Sequence, residues 1–327
     1  MASNSSSDIT TVHPDIIQSH ILNRLDGPTL ASAASTVSHL RRLCTENHLW
    51  HKISTATWPS LTDPLASALI ATFPAAHRSI FSDSFPSLHY SSSPDHHSTP
   101  FPPPEELVSA VDLYYKGKPV FSRVIRTETQ KGWFLSSPLW VDLLEPYELV
   151  PTPLKLEHND KEEECLKHLE ENLGLSWIMI DPTRKRAANL SSRSPVAVRR
   201  HWLTGEVEAV YAVAMGCVQC IVKVTCCGKI GGAMHVREVS LTMEDLDGKH
   251  VVGRESAVIL QRAIESGTRR KVDAEEAKAR FEEFCCVRRE RKEMKIRREK
   301  AMDMFAMLVA SAVFASLFWA MILCVSQ

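Results

Sequence analysis

VHPDIIQSHILNRLDGPTLASAASTVSHLRRLCTENHLW, residues 12–50, carries an apolar anchor at nearly every helical turn. Pro14 suits a first helical position, where its missing N–H costs nothing. Asp15 then lies at the positive end of the helix dipole. Ile17, Ile21 and Leu25 recur at i, i+4 and i+8, with Ile16 and Leu22 beside them. Asp26-Gly27-Pro28 breaks the run. Leu30, Ala33, Ala34 and Val37 repeat at i, i+3, i+4 and i+7; Leu40 and Leu43 continue the spacing, and Leu49-Trp50 closes it. Periodicity alone specifies three amphipathic helices of a small domain.

The order of these residues says more. The stretch resembles an F-box: a hydrophobic residue, Pro-Asp-Ile-Ile, Ile-Leu-x-Arg-Leu, Asp-x-x-x-Leu, Ala-x-Ala-Ala-Ser-x-Val, then Leu-Arg-Arg-Leu before Glu-Asn-x-Leu-Trp. One departure is visible: Val12-His13-Pro14 stands where the family usually has Leu-Pro. The resemblance implies docking on a Skp-type adaptor, and through it on a cullin and a ubiquitin-loaded conjugating enzyme. It implies contacts from Pro14, Ile16, Ile17, Ile21, Leu22, Leu25, Leu30, Val37, Leu40, Arg41 and Trp50. Some of these must pack the module's own core, and the sequence does not divide the two sets.

The chain has 327 residues, 44% hydrophobic and 24% charged, with net charge −1. That is an ordinary globular composition, with room for one small and one medium domain. The charge balance predicts no nucleic-acid partner. MASNSSSDITTV has neither a basic n-region nor an apolar core, so no signal peptide is expected. The nine cysteines are then expected to be reduced thiols.

In chain order, residues 1–11 read as disordered and 12–81 as the F-box module with a helical extension through Trp58, Leu65, Leu69, Ile70 and Phe73. Ser, Pro and His dominate 82–104, a linker and the best boundary. His96-His97 within it is a loop pair without a third metal ligand. From 105 to 265 the chain reads as β-rich. Glu106–Tyr115 is expected as a short helix, whereas Val120–Ile125 and Gly132–Leu135 are expected as strands. Leu175–Ile180 is a buried strand stopped by Asp181-Pro182. Residues 155–172 are charged, helical or looped. Further strands are expected at Val196–Val198, Val207–Met215, Val218–Thr225, Met234–Leu241 and Val251-Val252, with a helix at Ser256–Ile264. The expected fold class is α+β: a small all-α module, then a mainly antiparallel, sandwich-like β domain, a helical stalk and one transmembrane helix.

The segments DLYYKGKPVFSRV, GWFLSSPLWVDLL, NLSSRSPVAVRRHWLTGEV and VREVSLTMEDLDGKHVVGRESAVILQRA are similar to those of a plant group of F-box proteins. That group has an N-terminal F-box followed by one β-rich domain. The resemblance covers residues 12 to about 265 and supplies no substrate. A lectin-like sandwich is a fold-level analogy only.

Residues 266–303 switch to a charged stalk. Between 288 and 300 stand eight basic and three acidic residues, net +5. Met304–Val325 is then free of charge for 22 residues. At 1.5 Å per residue that is about 33 Å of helix, enough to cross a hydrocarbon core. Only Ser326-Gln327 follow, so a tail anchor on an intracellular membrane is expected, with residues 1–300 on the cytosolic side by the positive-inside rule.

Chemistry-bearing motifs are few. Cys217, Cys220, Cys226 and Cys227, with His235 following, form the one cluster with metal-ligand flavour; Cys217, Cys220, Cys226 and His235 are the candidate ligands of a single site, and the competing reading is small apolar side chains in strands. Cys285-Cys286, beside the basic run, are candidates for reversible palmitoylation. Arg199, Arg200 and Trp202 are candidates for an acidic or phosphorylated ligand. Asn189-Leu190-Ser191 matches a glycosylation acceptor that cytosolic topology would silence. No nucleophile elbow, P-loop or dinucleotide fingerprint occurs. The expectation is a non-catalytic, cofactor-free substrate receptor of a Skp–cullin–F-box ubiquitin ligase, held at a membrane. The alternative is a membrane-anchored adaptor-binding or lectin-like protein without ubiquitin transfer. Third is an enzyme using a zinc or redox site at the four cysteines.

Overall fold

The computed structural model describes residues 13–90, 103–155, 162–228 and 232–325. The chain opens with α1 (Pro14–Ile16), which continues as a π-turn over Ile17–Ile21 and a 3-10 turn over Leu22–Arg24. Then come α2 (Gly27–Thr36), α3 (Ser38–Cys44) and α4 (Asn47–Thr57). A 3-10 turn at Pro59–Thr62 leads to α5 (Pro64–Ala71) and α6 (Ala76–Ser84). Asp26 caps α2, its Oδ1 accepting from the Thr29 N–H at 2.9 Å. Asp63 caps α5 in the same way through Leu65.

Behind the helices lie strands β1 (Leu88–His89), β2 (Glu106–Tyr115), β3 (Lys118–Glu128), β4 (Trp140–Asp142) and β5 (Val150–Lys155). They are followed by β6 (Leu173–Asp181), β7 (Arg186–Asn189), β8 (Ala197–Arg200), β9 (Val207–Met215), β10 (Val218–Cys227), β11 (Ala233–Asp245) and β12 (Thr268–Arg269). Strands β3-β2-β6-β7 form one antiparallel sheet. Strands β4-β11-β10-β9-β8 form a second, with β5 also pairing β11; β1 and β12 make a small ribbon. The inner faces of the two large sheets share one core, with Val111, Leu113 and Trp177 meeting Tyr211, Val222 and Leu241. The fold is α+β, with a sandwich of antiparallel sheets.

The central strands of the first sheet, β2 and β6, are buried on both faces. Leu107, Val111 and Leu113 turn into the sandwich, whereas Val108 and Ala110, with Ile178 and Ile180 of β6, pack under the helices beside Trp58, Leu61 and Ile80. That corrects the short helix expected at Glu106–Tyr115, which is the ten-residue strand β2. A strand covered on both sides needs apolar residues at successive positions, so it loses the alternation that marks a half-exposed strand. Gly132–Leu135, expected as a strand, lies in α7 (Gly132–Ser136). There Phe134 is buried and Trp133 faces solvent. Gly253, opening α9 (Gly253–Ser266), lets that helix approach, because a Cβ there would lie 2.2 Å from the Phe134 carbonyl oxygen. The expected helix at Ser256–Ile264 lies within α9.

Two polar clamps join the helices to the sheet. The buried Asp112 of β2 accepts from the Ser60 N–H at 2.8 Å, the Ser60 hydroxyl at 2.6 Å and the Ser122 hydroxyl at 2.6 Å. Burial raises its carboxyl pKa, and the three donors oppose that rise only in part. Asp112→Ala strands those donors at a buried joint. The expected cost is about 2–3 kcal/mol in denaturant unfolding, against little change for an exposed carboxylate such as Glu128→Ala. In the second clamp, Asp83 of α6 accepts from Arg186 Nε at 2.8 Å and from the Ala187 N–H at 3.0 Å. Arg269 Nε donates to the Asp83 carbonyl at 2.6 Å, drawing β12 to the same joint.

The helical module also contains a pH-sensitive contact. His77 of α6 is buried edge-on against His51 of α4, with ring centroids 4.6 Å apart. Burial first, and the His51 charge second, lower its pKa to about 4. Its folded pKa lies below the unfolded value, so stability is present at neutral pH and is lost as pH falls from about 6.5 toward 4. Melting temperatures measured across that window should fall on acidification, and His77→Phe should flatten the slope.

Past β12, Asp273 caps α10 (Ala274–Val325), its Oδ1 accepting from the Glu276 N–H at 2.7 Å. The helix has 52 residues, about 78 Å at 1.5 Å per residue. Its first turns are not a free stalk. Ala277 and Phe281 pack on Val196, Val210 and Ala212, and Phe284 is buried. Lys278 pairs with Glu170 of α8 (Glu162–Asn172) at 2.7 Å, and Arg288 with Glu244 of β11 at 2.6 Å. From Arg289 to Ile322 every side chain is exposed.

Candidate functional site

The structure divides the N-terminal set that sequence alone leaves mixed. Ile17, Leu22, Leu30 and Trp50 are buried in the module's core. Leu25 and Leu40 pack at its edge, and Pro14 is half-buried. Ile16, Ile21 and Val37 are large apolar side chains left 50%, 42% and 42% exposed, and Arg41 is exposed beside them in sequence.

Local geometry explains the split. Sequence spacing puts Ile21 on the same inward face as Ile17. The π-turn over Ile17–Ile21 widens the helix, so Leu22 takes the inward place and Ile21 points out. Val37 is extended, with φ −133° and ψ 152°, and separates α2 from α3 where the spacing reads as continuous. Its side chain therefore stands out at the corner. Arg41 Nε donates to the Ala34 carbonyl at 3.3 Å across that corner.

Beneath this surface the module is locked. Trp50 Nε1 donates to the Cys44 carbonyl at 2.7 Å. Phe81 of α6 lies between Trp50, Trp58 and Phe85, with centroid distances of 5.3, 5.5 and 5.0 Å. Gly27 admits that ring: a Cβ there would sit 2.0 Å from Phe81 Cζ. The exposed apolar residues thus stand on a rigid support.

The cysteine cluster does not converge. Cys220 and Cys226 lie six residues apart on β10, about 20 Å at strand rise, both buried among apolar side chains. Burial pushes each thiol up to about 12. Cys217 precedes the strand at its far end and is exposed, while His235 lies opposite Cys227. Among the described residues no group of three or more His, Cys, Asp or Glu side chains is placed to hold a metal ion.

The arginine cluster is also dispersed. Arg199 pairs with Glu208 at 2.8 Å, and Trp202 is 88% exposed, stacked on His201. Asn189 is buried: its amide oxygen accepts from the Trp177 and Ser191 N–H groups, and its Nδ2 donates to Ser176. It is a structural amide. Cys285 and Cys286 lie 18 or more residues before Met304, about 27 Å along the helix, and Cys286 is exposed. The paired histidines His96-His97 lie outside the described residues, as do residues 1–12.

One surface has no counterpart in the sequence reading. Trp140, Tyr147 and Leu149 are exposed around a groove of about 870 Å³, which Asp142, Glu145 and Arg237 also line. Tyr147 is fully exposed with φ +72°, a strained setting for a bulky residue. The residues come from an edge strand and a loop, so no periodic pattern announces them.

The chain thus joins a rigid helical module with outward apolar residues to a β-sandwich and a long helix with an apolar end. The chain is 44% identical over 330 residues to F-box protein At2g27310 of Arabidopsis thaliana, covering 96% of each chain. It is 46% identical over 299 residues to probable F-box protein At2g36090, also of Arabidopsis thaliana, covering 90% of this chain and 87% of that one. It is 42% identical over 320 residues to F-box protein At3g44326 of the same plant, covering 92% and 87%. No protein-family model and no solved structure matches it. The chain belongs to the F-box proteins.

Proposed function

We propose that this F-box protein is the non-catalytic substrate receptor of a Skp–cullin–F-box ubiquitin ligase, tethered to an intracellular membrane. The observation that carries the reading is the exposed trio Ile16, Ile21 and Val37 on an otherwise closed core. These are the large apolar side chains left outward among the described residues of the helical module, and such residues suit burial against a partner. Pro14, Leu25, Leu40 and Arg41 border the same contact, while Ile17, Leu22, Leu30 and Trp50 act beneath it as support.

In this scheme catalysis is proximity: a substrate lysine is held near a thioester carried by another protein. The β-sandwich supplies selection of a protein substrate, and the exposed Trp140–Tyr147–Leu149 surface is its candidate contact. The apolar end of α10 spans the bilayer, and the +5 run between 288 and 300 keeps the folded part on the cytosolic side. Supporting this, one helix of the described chain is long and apolar enough to cross a membrane, and none of its most apolar window is buried. With the membrane boundary at Met304, Cys285 and Cys286 stand well short of the acyl chains.

The test is a pull-down of the full chain, in detergent, with a purified Skp-type adaptor and its cullin. Stoichiometric capture supports the receptor reading. Adaptor capture without cullin would favour the alternative, an adaptor-binding protein with no role in ubiquitin transfer.

A further inference from the structure

We propose that the groove along the two sheet edges takes an extended segment of the protein substrate, in which apolar side chains flank a lysine or arginine. The inference rests on the receptor reading and names the chemistry that the sandwich selects.

The position of the groove favours an extended chain. β3 ends the first sheet and β4 ends the second. Ile125 of β3, Trp140 and Asp142 of β4 and the loop that follows β4 line one groove of about 870 Å³. Leu139 and Leu143 donate inward, to the Val251 and Val239 carbonyls at 2.9 and 3.0 Å. By strand alternation the Trp140 and Asp142 N–H groups point the other way, off the edge of the sheet. An open edge of this kind pairs with the backbone of an extended segment, and neighbouring side chains then select its sequence. The apolar side chains here are presented rather than packed away: Trp140 is 46%, Leu149 51% and Tyr147 fully exposed.

The charge left over at the groove is negative. Each nearby cation is already paired. Arg123 is held by both Glu148 oxygens at 2.5 and 2.8 Å, Arg237 by Glu206 at 2.7 Å and Lys223 by Glu238 at 3.0 Å. Among the described residues, Asp142 and Glu145 of the groove have no cation within ion-pair range. Trp140 Nε1 donates to Asp142 Oδ1 at 2.6 Å, which fixes that carboxylate beside the indole. Carboxylates and exposed aromatic rings on one surface both favour a cation. Burial raises the Asp142 carboxyl pKa and Glu238 adds to the rise; a partner's cation opposes it. A neutral or acidic segment would bury the two carboxylates without a counter-charge, so the groove discriminates against it.

The full chain in phosphatidylcholine nanodiscs, without adaptor or cullin, is the target for a phage-displayed library of random dodecapeptides. Phage that bind empty nanodiscs or the Tyr147→Ala/Leu149→Ala variant are removed first. The expected consensus joins aromatic or aliphatic residues to lysine or arginine. A fluorescent copy of the most enriched peptide should lose at least about tenfold in affinity with Asp142→Asn and Glu145→Gln together, read by fluorescence polarisation. It should lose as much with Tyr147→Ala and Leu149→Ala together. All four positions face solvent, so melting temperatures should match the wild type. Enriched peptides without an excess of lysine and arginine, or affinity unchanged by the neutralised pair, would overturn the proposal. A groove closed by a second copy of the chain would give no enrichment, which would overturn it as well. Ligase assembly is scored separately in the adaptor pull-down, so failure here and failure of the receptor reading are distinct results.

Discussion

Deleting residues 304–325 is expected to release the protein from membranes into the soluble fraction. The segment holds ten Leu, Ile, Val or Phe residues and no charge. At about −0.3 to −0.6 kcal/mol each, insertion gains at most roughly 3–6 kcal/mol. Nothing in the folded part competes for this surface: Phe305, Leu308, Phe314, Leu317, Phe318 and Trp319 are all more than 60% exposed. A core helix of that length would be covered. The measurement is fractionation with alkaline carbonate, which strips peripheral proteins but leaves spanning helices. The intact chain should stay in the pellet and the truncated chain should leave it. Leu317→Arg with Phe314→Arg should act like the truncation, since each arginine near mid-span costs about 2.5–3.5 kcal/mol. An intact chain extracted by carbonate would show that the helix does not span a bilayer.

Ile21→Asp with Val37→Asp is expected to weaken adaptor binding at least about 100-fold without unfolding the module. Each substitution removes an apolar side chain from the contact and places a carboxylate there, and the expected loss exceeds about 3 kcal/mol. Neither side chain contributes to the core, so thermal unfolding should shift little. Leu30→Asp is the counter-experiment. It buries a charge in the centre of the module and should abolish folding along with binding. If the double variant bound as well as the wild type, the contact would lie elsewhere on the module.

Much of this was legible in the residues. The F-box pattern was carried by the resemblance of its ordered residues, while β6, β8, β9, β10, β11, α9 and the apolar end of α10 follow from period and composition; Val251-Val252, expected as a strand, makes only an isolated bridge from Val252 to Pro138, and β7 was not expected. What was not legible has particular causes. Ile21 matches the inward spacing of an α-helix, and only the π-turn exposes it. β2 hides because the helices cover its second face, removing alternation. The four cysteines look like a ligand set in one dimension, but the extended strand β10 sets Cys220 and Cys226 about 20 Å apart. The Asp83 clamp joins α6 to Arg186 of β7, more than a hundred residues away. Such long-range meetings leave no local pattern.

The receptor reading is tested most directly by reconstitution. The full chain in nanodiscs is combined with the adaptor, cullin, ring-type partner and a ubiquitin-charged conjugating enzyme, and ubiquitin on the chain's own lysines is followed by mass spectrometry. The prediction is ubiquitin transfer that requires both adaptor and cullin and disappears in the Ile21→Asp/Val37→Asp variant. A complete system that assembles on the chain and transfers no ubiquitin would contradict the account.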